Sequence, residues 1–262
     1  MTPPTTTPAT EPALQSRGLE VRFSSFVAVG GVDLSVASGA RHALIGPNGA
    51  GKTTLVHALT GAVRPSGGAV LLAGRDITSL PQPGRVRAGL SRTFQINQLF
   101  RAQPVLENVA LAVFERERAT RAFWRSAAGD RRVLDEAREH LRFVNLQDEA
   151  DTPVSLLPYG RQRMVEIAVA LATRPRVLIL DEPAAGVPTT ESTVIFERLD
   201  ALPRNLTIIF VEHDMNLVFR FAERITVLVG GRVLTEGAPR EIAADEKVRE
   251  VYLGRRGHAH AA

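Results

Sequence analysis

The chain contains no cysteine, and of its 32 basic residues only Lys52 and Lys247 are lysines. Without thiols there are no disulfides and no thiolate metal sites, a composition that fits a reducing cytoplasm. No apolar run approaches the ~18 residues of a membrane-spanning helix. Yet 44% of the 262 residues are hydrophobic, enough for a substantial globular core. The Thr/Pro-rich start lacks both the positive charge and the apolar stretch of a secretory signal, and residues 1–16 read as a disordered tail. The net charge of +4 is modest, and the basic run 116–132 is interleaved with Glu115, Glu117 and Asp130. Such a run reads as a solvated helix face rather than a nucleic-acid surface.

What is present centres on Gly46, Pro47, Asn48, Gly49, Ala50, Gly51, Lys52, Thr53 and Thr54, which fit G-x-x-x-x-G-K-S/T. The strand-like run 41–45 precedes this loop and the helical run 52–59 follows it, as a phosphate-binding loop requires. Glycines let successive N–H groups line one concavity, and the helix adds its positive end. In such a loop Lys52 reaches the β and γ phosphates and the Thr53 hydroxyl sits on Mg²⁺. A single core lysine at that position, in a chain otherwise built with arginine, points the same way.

Around the loop the pattern alternates between strands and helices. Strands are expected at 19–23, 32–36, 40–45, 69–72 and 90–94, with turns at Gly30-Gly31 and Ser38-Gly39. From 104 to about 172 the spacing is helical, with Val105, Val109, Ala112 and Val113 on one face and Val133, Ala137, Leu141 and Val144 on another. Met164, Ile167, Ala168 and Leu171 form a third such face. The runs 177–180 and 206–211 are continuously apolar, as in strands of a parallel sheet buried on both faces. They end at Asp181-Glu182 and Glu212-His213, at the strand termini where ligands of such sheets bind. A hairpin is expected across Gly230-Gly231. The tail 255–262 reads as flexible, and its His258 and His260 as incidental.

Taken together, the phosphate loop, Gln95, Tyr159-Gly160-Arg161-Gln162-Arg163, the 177–183 strand and its acids, and His213 resemble an ABC transporter ATP-binding subunit. The segments Arg92-Thr93-Phe94-Gln95, Asp181-Glu182-Pro183-Ala184-Ala185-Gly186, Glu212-His213-Asp214-Met215 and Tyr252-Leu253-Gly254 are similar to the ATPase subunits of branched-chain amino acid importers. The resemblance implies an α/β fold: a P-loop NTPase core with an antiparallel β subdomain and an inserted α-helical lobe at about 104–172, within a cassette spanning 17–254. It implies ATP and Mg²⁺ as cofactors. It implies that Glu182 polarises the attacking water, that His213 contacts the γ-phosphate, and that Gln95 touches both water and metal. Thr53, Gln95 and Asp181 would hold Mg²⁺, and Phe23 and Val29 would lie against the nucleotide, Phe23 stacking on adenine. Cassettes of this family pair head to tail, so that Pro158, Tyr159, Gly160 and Arg161 would complete the partner's ATP site in trans. The implied partners are membrane permease subunits, a second ATPase subunit in a hetero- or homodimer and, indirectly, a substrate-binding protein. No nucleic acid is implied. The place is the inner face of the cell membrane, on the cytoplasmic side.

Two positions depart from the family pattern. Pro158 stands where a serine hydroxyl donates to the partner's γ-phosphate, with Arg161 as a cation offered in compensation. Pro188 stands where the family has Asp or Asn. These departures motivate one alternative, a weakly hydrolysing regulatory subunit; a second, the cassette of a lipid exporter, stays open because those cassettes look alike.

Overall fold

A strand buried at every position is covered on both faces, and three such strands lie side by side at the centre of the molecule. The computed structural model describes residues 11–93, 99–118 and 130–253. In it β3 (Arg41–Ile45), β7 (Val177–Asp181) and β8 (Thr207–Val211) are buried along their whole length. Alternate side chains enter two different cores. Ala43, Ile45, Leu178, Leu180, Ile208 and Phe210 join the helical side. Leu44, Val177, Ile179, Ile209 and Val211 face the other way. With β6 (Leu90–Arg92), β9 (Arg224–Val229) and β10 (Arg232–Gly237) they form one sheet in the order β10-β9-β3-β8-β7-β6. All neighbours are parallel except the β9–β10 hairpin, which turns on Gly230-Gly231.

The second sheet is antiparallel, ordered β2-β1-β4-β5, from β1 (Leu14–Phe23), β2 (Phe26–Val36), β4 (Gly67–Leu72) and β5 (Arg75–Asp76). Helix α1 (Lys52–Thr60) is packed between the sheets through Leu55, Val56, Ala58 and Leu59. Helix α2 (Gln82–Ala88) leads from this sheet to β6.

Two expectations fail here for one reason, the β-bulge. Gly30-Gly31 is no turn but lies inside β2, where Gly31, at φ +73°, is the extra residue between the pairs Leu19–Val32 and Glu20–Gly30. Likewise β1 begins at Leu14, so residues 14–16 belong to the sheet and not to the tail. Leu14 and Ser16 are buried and so are Leu19 and Val21, but Gly18 shifts the register between them. A bulge conceals a strand from a period-two reading because it interrupts the alternation.

The helical segment comprises α3 (Val105–Arg118), α4 (Arg131–Phe143) and α5 (Tyr159–Ala172), with single 3-10 turns at Gln147–Glu149 and Val154–Leu156. Val105, Val109 and Val113 pack with Val133, Ala137 and Leu141, as their spacing predicts. Where the segment enters, the N–H groups of Val105 and Leu106 donate to the carbonyls of Thr152 and Ala150. Arg116, expected on a solvated face, instead turns inward. It donates to both carboxylate oxygens of Glu136 at 2.7 Å and to the Ala172 carbonyl at 2.7 Å, tying α3 and α4 to the end of α5. Four further helices, α6 (Thr189–Asp200), α7 (Met215–Phe221), α8 (Pro239–Ala244) and α9 (Glu246–Leu253), close the helical side of the large sheet through Phe196, Leu217, Ile242 and Val248.

Candidate functional site

The loop after β3, the acids ending β7 and the histidine after β8 come from three adjacent parallel strands, all at their carboxyl ends. They meet in a cleft of about 420 Å³ lined by Phe26, Ala28, Asn48, Gly49, Ala50, Gly51, Lys52, Thr53, Thr54, Glu182 and His213.

Helix α1 starts with Gly51 as its N-cap, at φ +96°, and Leu55 is the first residue to donate back into the helix, to Gly51 at 2.8 Å. The N–H groups of Lys52, Thr53 and Thr54 therefore have no acceptor in the helix ladder. The helix has no capping side chain and no acidic residue in its first turn, so its positive end offers a place for an anion. A side chain at Gly51 would press on the Ala28 carbonyl, so glycine is required there for close packing as well as for its backbone angle. Lys52 is buried, and its Nζ donates to the carbonyls of Gly46 at 2.7 Å and Pro47 at 3.1 Å. Burial lowers its pKa, while Glu182 and Asp181 pull the other way.

Asp181 is only 1% exposed, and neither carboxylate oxygen has a hydrogen-bond partner. Burial pushes its carboxyl up and Arg92 opposes that shift. A buried carboxylate with both oxygens open suits a divalent cation or the water bound to one. Among the described residues no group of three or more His, Asp or Glu side chains forms a metal cage.

Glu182 has φ +50°, a left-handed angle that is uncommon outside glycine. Its N–H donates to the Val211 carbonyl at 3.0 Å, and its Oε1 lies 2.7 Å from Nε2 of His213. The acid and the imidazole thus form a hydrogen-bonded pair across the mouth of the cleft.

Several expected residues are placed elsewhere. Phe26, not Phe23, lines the cleft, although the two face each other across the β1–β2 turn. Val29 is fully buried in the core, because in an extended strand its neighbour Ala28 takes the opposite face and the cleft. Pro158, Gly160 and Arg161 line a separate cavity of about 350 Å³ with Asn145, Met164, Glu191 and Arg198. Pro158 caps α5 without a side-chain hydrogen bond, and Tyr159 is exposed beneath the Arg163 guanidinium, 5.2 Å from its ring centre. Gln95 lies outside the described residues. One residue that the sequence places at a strand end without a role of its own is Glu212, buried beside His213. Its only signal is a second acid at the end of a continuous apolar strand.

The family model for the ABC transporter matches residues 29–185, and the model for the branched-chain amino acid ATP-binding cassette transporter matches residues 232–258. The chain belongs to the ABC transporter family, as one of its nucleotide-binding ATPase subunits. It is 38% identical to the high-affinity branched-chain amino acid transport ATP-binding protein BraF of Pseudomonas aeruginosa, over 93% of this chain and 98% of the relative. It is 39% identical to the corresponding protein LivG of Salmonella typhimurium, again over 93% and 98%. Among solved structures, a nucleotide-free ATP-binding cassette from an ABC transporter superposes with a TM-score of 0.82 at 28% identity, covering 92% of this chain and 98% of that one.

Proposed function

We propose that this chain binds and hydrolyses ATP in the cleft above Asp181 and so energises a membrane importer of branched-chain amino acids or related small solutes. The observation that carries the chemistry is the Glu182–His213 pair facing the phosphate loop across one cleft. The solute class rests on the match of the C-terminal segment and on the relatives.

Phosphoryl transfer to water needs held phosphates, neutralised charge and an aligned water. The N–H groups of the loop and the start of α1 cradle the phosphates, and Lys52 exchanges its two carbonyl partners for phosphate oxygens. Glu182 orients and polarises the water, and His213, fixed by its bond to Glu182, reaches toward the terminal phosphate. Phe26 offers its exposed ring to the adenine. Thr53, Asp181 and Gln95 would hold Mg²⁺, which would neutralise charge at the phosphates.

Among the described residues no helix is long and apolar enough to cross a membrane. The named transport relatives support a place at the inner membrane face, where the chain acts through permease subunits with a solute-binding protein as an indirect partner. In the head-to-tail pair its α5 N-terminus faces the partner's ATP. Pro158 makes that lent site the weaker one, which favours pairing with a second cassette that carries the serine.

Glu182→Gln tests the site. The amide keeps the shape but loses the charge that polarises water, so ATP should stay bound and turnover should stop. Size-exclusion chromatography with ATP and Mg²⁺ should show a persistent pair. Hydrolysis at the wild-type rate would remove Glu182 from the mechanism.

A further inference from the structure

Glu212 is a buried acid for which the chemistry above has no use. It follows β8, is 5% exposed, and its charge is held by backbone N–H groups. Oε1 accepts the Ala184 N–H at 3.0 Å and Oε2 accepts the His213 N–H at 3.1 Å, with the Asp214 N–H also directed at the carboxylate. Burial pushes this carboxyl up while those N–H groups pull it down. Ala184 lies in the turn after Glu182, and His213 in the loop after β8, so one side chain bridges both loops.

Between them Glu182 keeps its left-handed backbone, which is costly for a non-glycine residue and persists only where neighbours over-determine it. Its own N–H is bonded to Val211, its carbonyl accepts the Ala185 N–H at 3.1 Å, and Glu212 takes the N–H in between.

We propose that Glu212 is a positioning residue for hydrolysis: by clamping Ala184 and His213 it sets the register in which the Glu182 carboxylate and the His213 imidazole meet. This rests on the reading of Glu182 as the acid that aligns water. Only an ionised carboxylate accepts at both oxygens. A glutamine of the same shape offers one acceptor and turns an amide N–H toward the other backbone N–H, so one loop is released. The phosphate loop hangs from β3 and is untouched, and ATP affinity should survive.

The test compares full-length wild type, Glu212→Gln and Glu182→Gln by steady-state ATPase assay and by long-range ¹H–¹⁵N spectra of the imidazoles without nucleotide. Glu212→Gln should lower kcat about ten- to hundredfold, the loss expected for one hydrogen bond to a charged group, with KM for ATP within about twofold. It should also move the His213 Nε2 resonance, as Glu182→Gln should. The positioning role is overturned by an unchanged kcat, by a KM that rises in step with the loss, or by a His213 signal left at its wild-type position. The Glu182→Gln arm separates the two failures. If that variant hydrolyses normally, the assignment of the acid has failed. If it is inactive while Glu212→Gln is not, only the clamp has failed.

Discussion

Arg161 donates through Nη1 to the carbonyl of Asn145 at 2.6 Å, and its Nη2 lies 3.0 Å from a Glu149 carboxylate oxygen. The cation that follows the signature-like Leu157-Pro158-Tyr159-Gly160 is thus turned back onto the helical lobe and committed there.

Pro158→Ser should therefore raise the ATPase rate of the chain acting alone by about tenfold, the value of one hydrogen bond to a charged phosphate. Mixed with a second, serine-bearing cassette, the same substitution should matter less, because only one of two sites then contains the proline. Steady-state assays of wild type and variant, each alone and mixed, measure this. A lone wild type that already matches the mixture, with no gain from serine, would show Pro158 to be harmless.

Lys52→Ala should reduce ATP affinity about a hundredfold or more by removing a charged donor from the β and γ phosphates. Lys52→Arg should not restore it. The ammonium fits between the Gly46 and Pro47 carbonyls, at 2.7 and 3.1 Å, as a compact point charge, whereas a planar guanidinium does not. Isothermal titration calorimetry with ATP decides both, and binding at wild-type strength by Lys52→Ala would contradict the site.

Arg85 should prove a stability residue for the helix behind the phosphate loop. Fully buried, it donates to the carbonyls of Ala58 at 2.7 Å and Leu59 at 2.6 Å near the end of α1, and to Thr78 at 2.9 Å and Leu80 at 3.0 Å. Arg85→Met keeps the bulk and strands these acceptors. We expect a loss of about 2–4 kcal/mol, since unsatisfied buried carbonyls cost about 1–3 kcal/mol each while the desolvation cost of the guanidinium is relieved. Urea denaturation checks it, and a loss under about 1 kcal/mol would refute it.

His42 should make the fold acid-sensitive. Thr226 donates its hydroxyl to Glu236 at 2.9 Å, so the 2.8 Å contact between Thr226 and Nε2 of His42 must be donated by the imidazole. Nδ1 has no hydrogen-bond partner. Burial lowers the pKa from 6.5 to about 4, Glu236 opposing the shift and Arg224 adding to it. The folded state thus binds its proton later than the unfolded chain. The contribution is complete above the unfolded value and is lost as the pH falls from about 6.5 to about 4. Between about pH 7 and about pH 5 the loss should be about 2 kcal/mol. His42→Gln, which retains a donor to Thr226 but does not titrate, should flatten that slope in denaturation curves taken across the range. An unchanged slope would assign the acid sensitivity to other groups.

The buried strands and the acids at their ends were legible in the sequence because continuous apolarity has one stable setting, a sheet covered on both faces. The hairpin and the helical faces were legible for the same kind of local reason. The bulges at Gly18 and Gly31 were not, since a glycine at positive φ serves a turn or a bulge equally well and only the pairing partner distinguishes them.

By itself the sequence located the phosphate loop and the strand ends at Asp181-Glu182 and Glu212-His213, because each is marked locally: a backbone that only glycines permit, a helix that begins where the loop ends, and a strand that stops at a charge. Only the tertiary structure decided that Phe26 and Ala28, rather than Phe23 and Val29, line the cleft, that Arg116 and Arg161 are held by internal partners, and that Glu212 joins two loops. Those outcomes depend on which face of a strand looks inward and on which acceptor lies within reach across a long stretch of chain. Residue order does not carry that information until the sheets have packed.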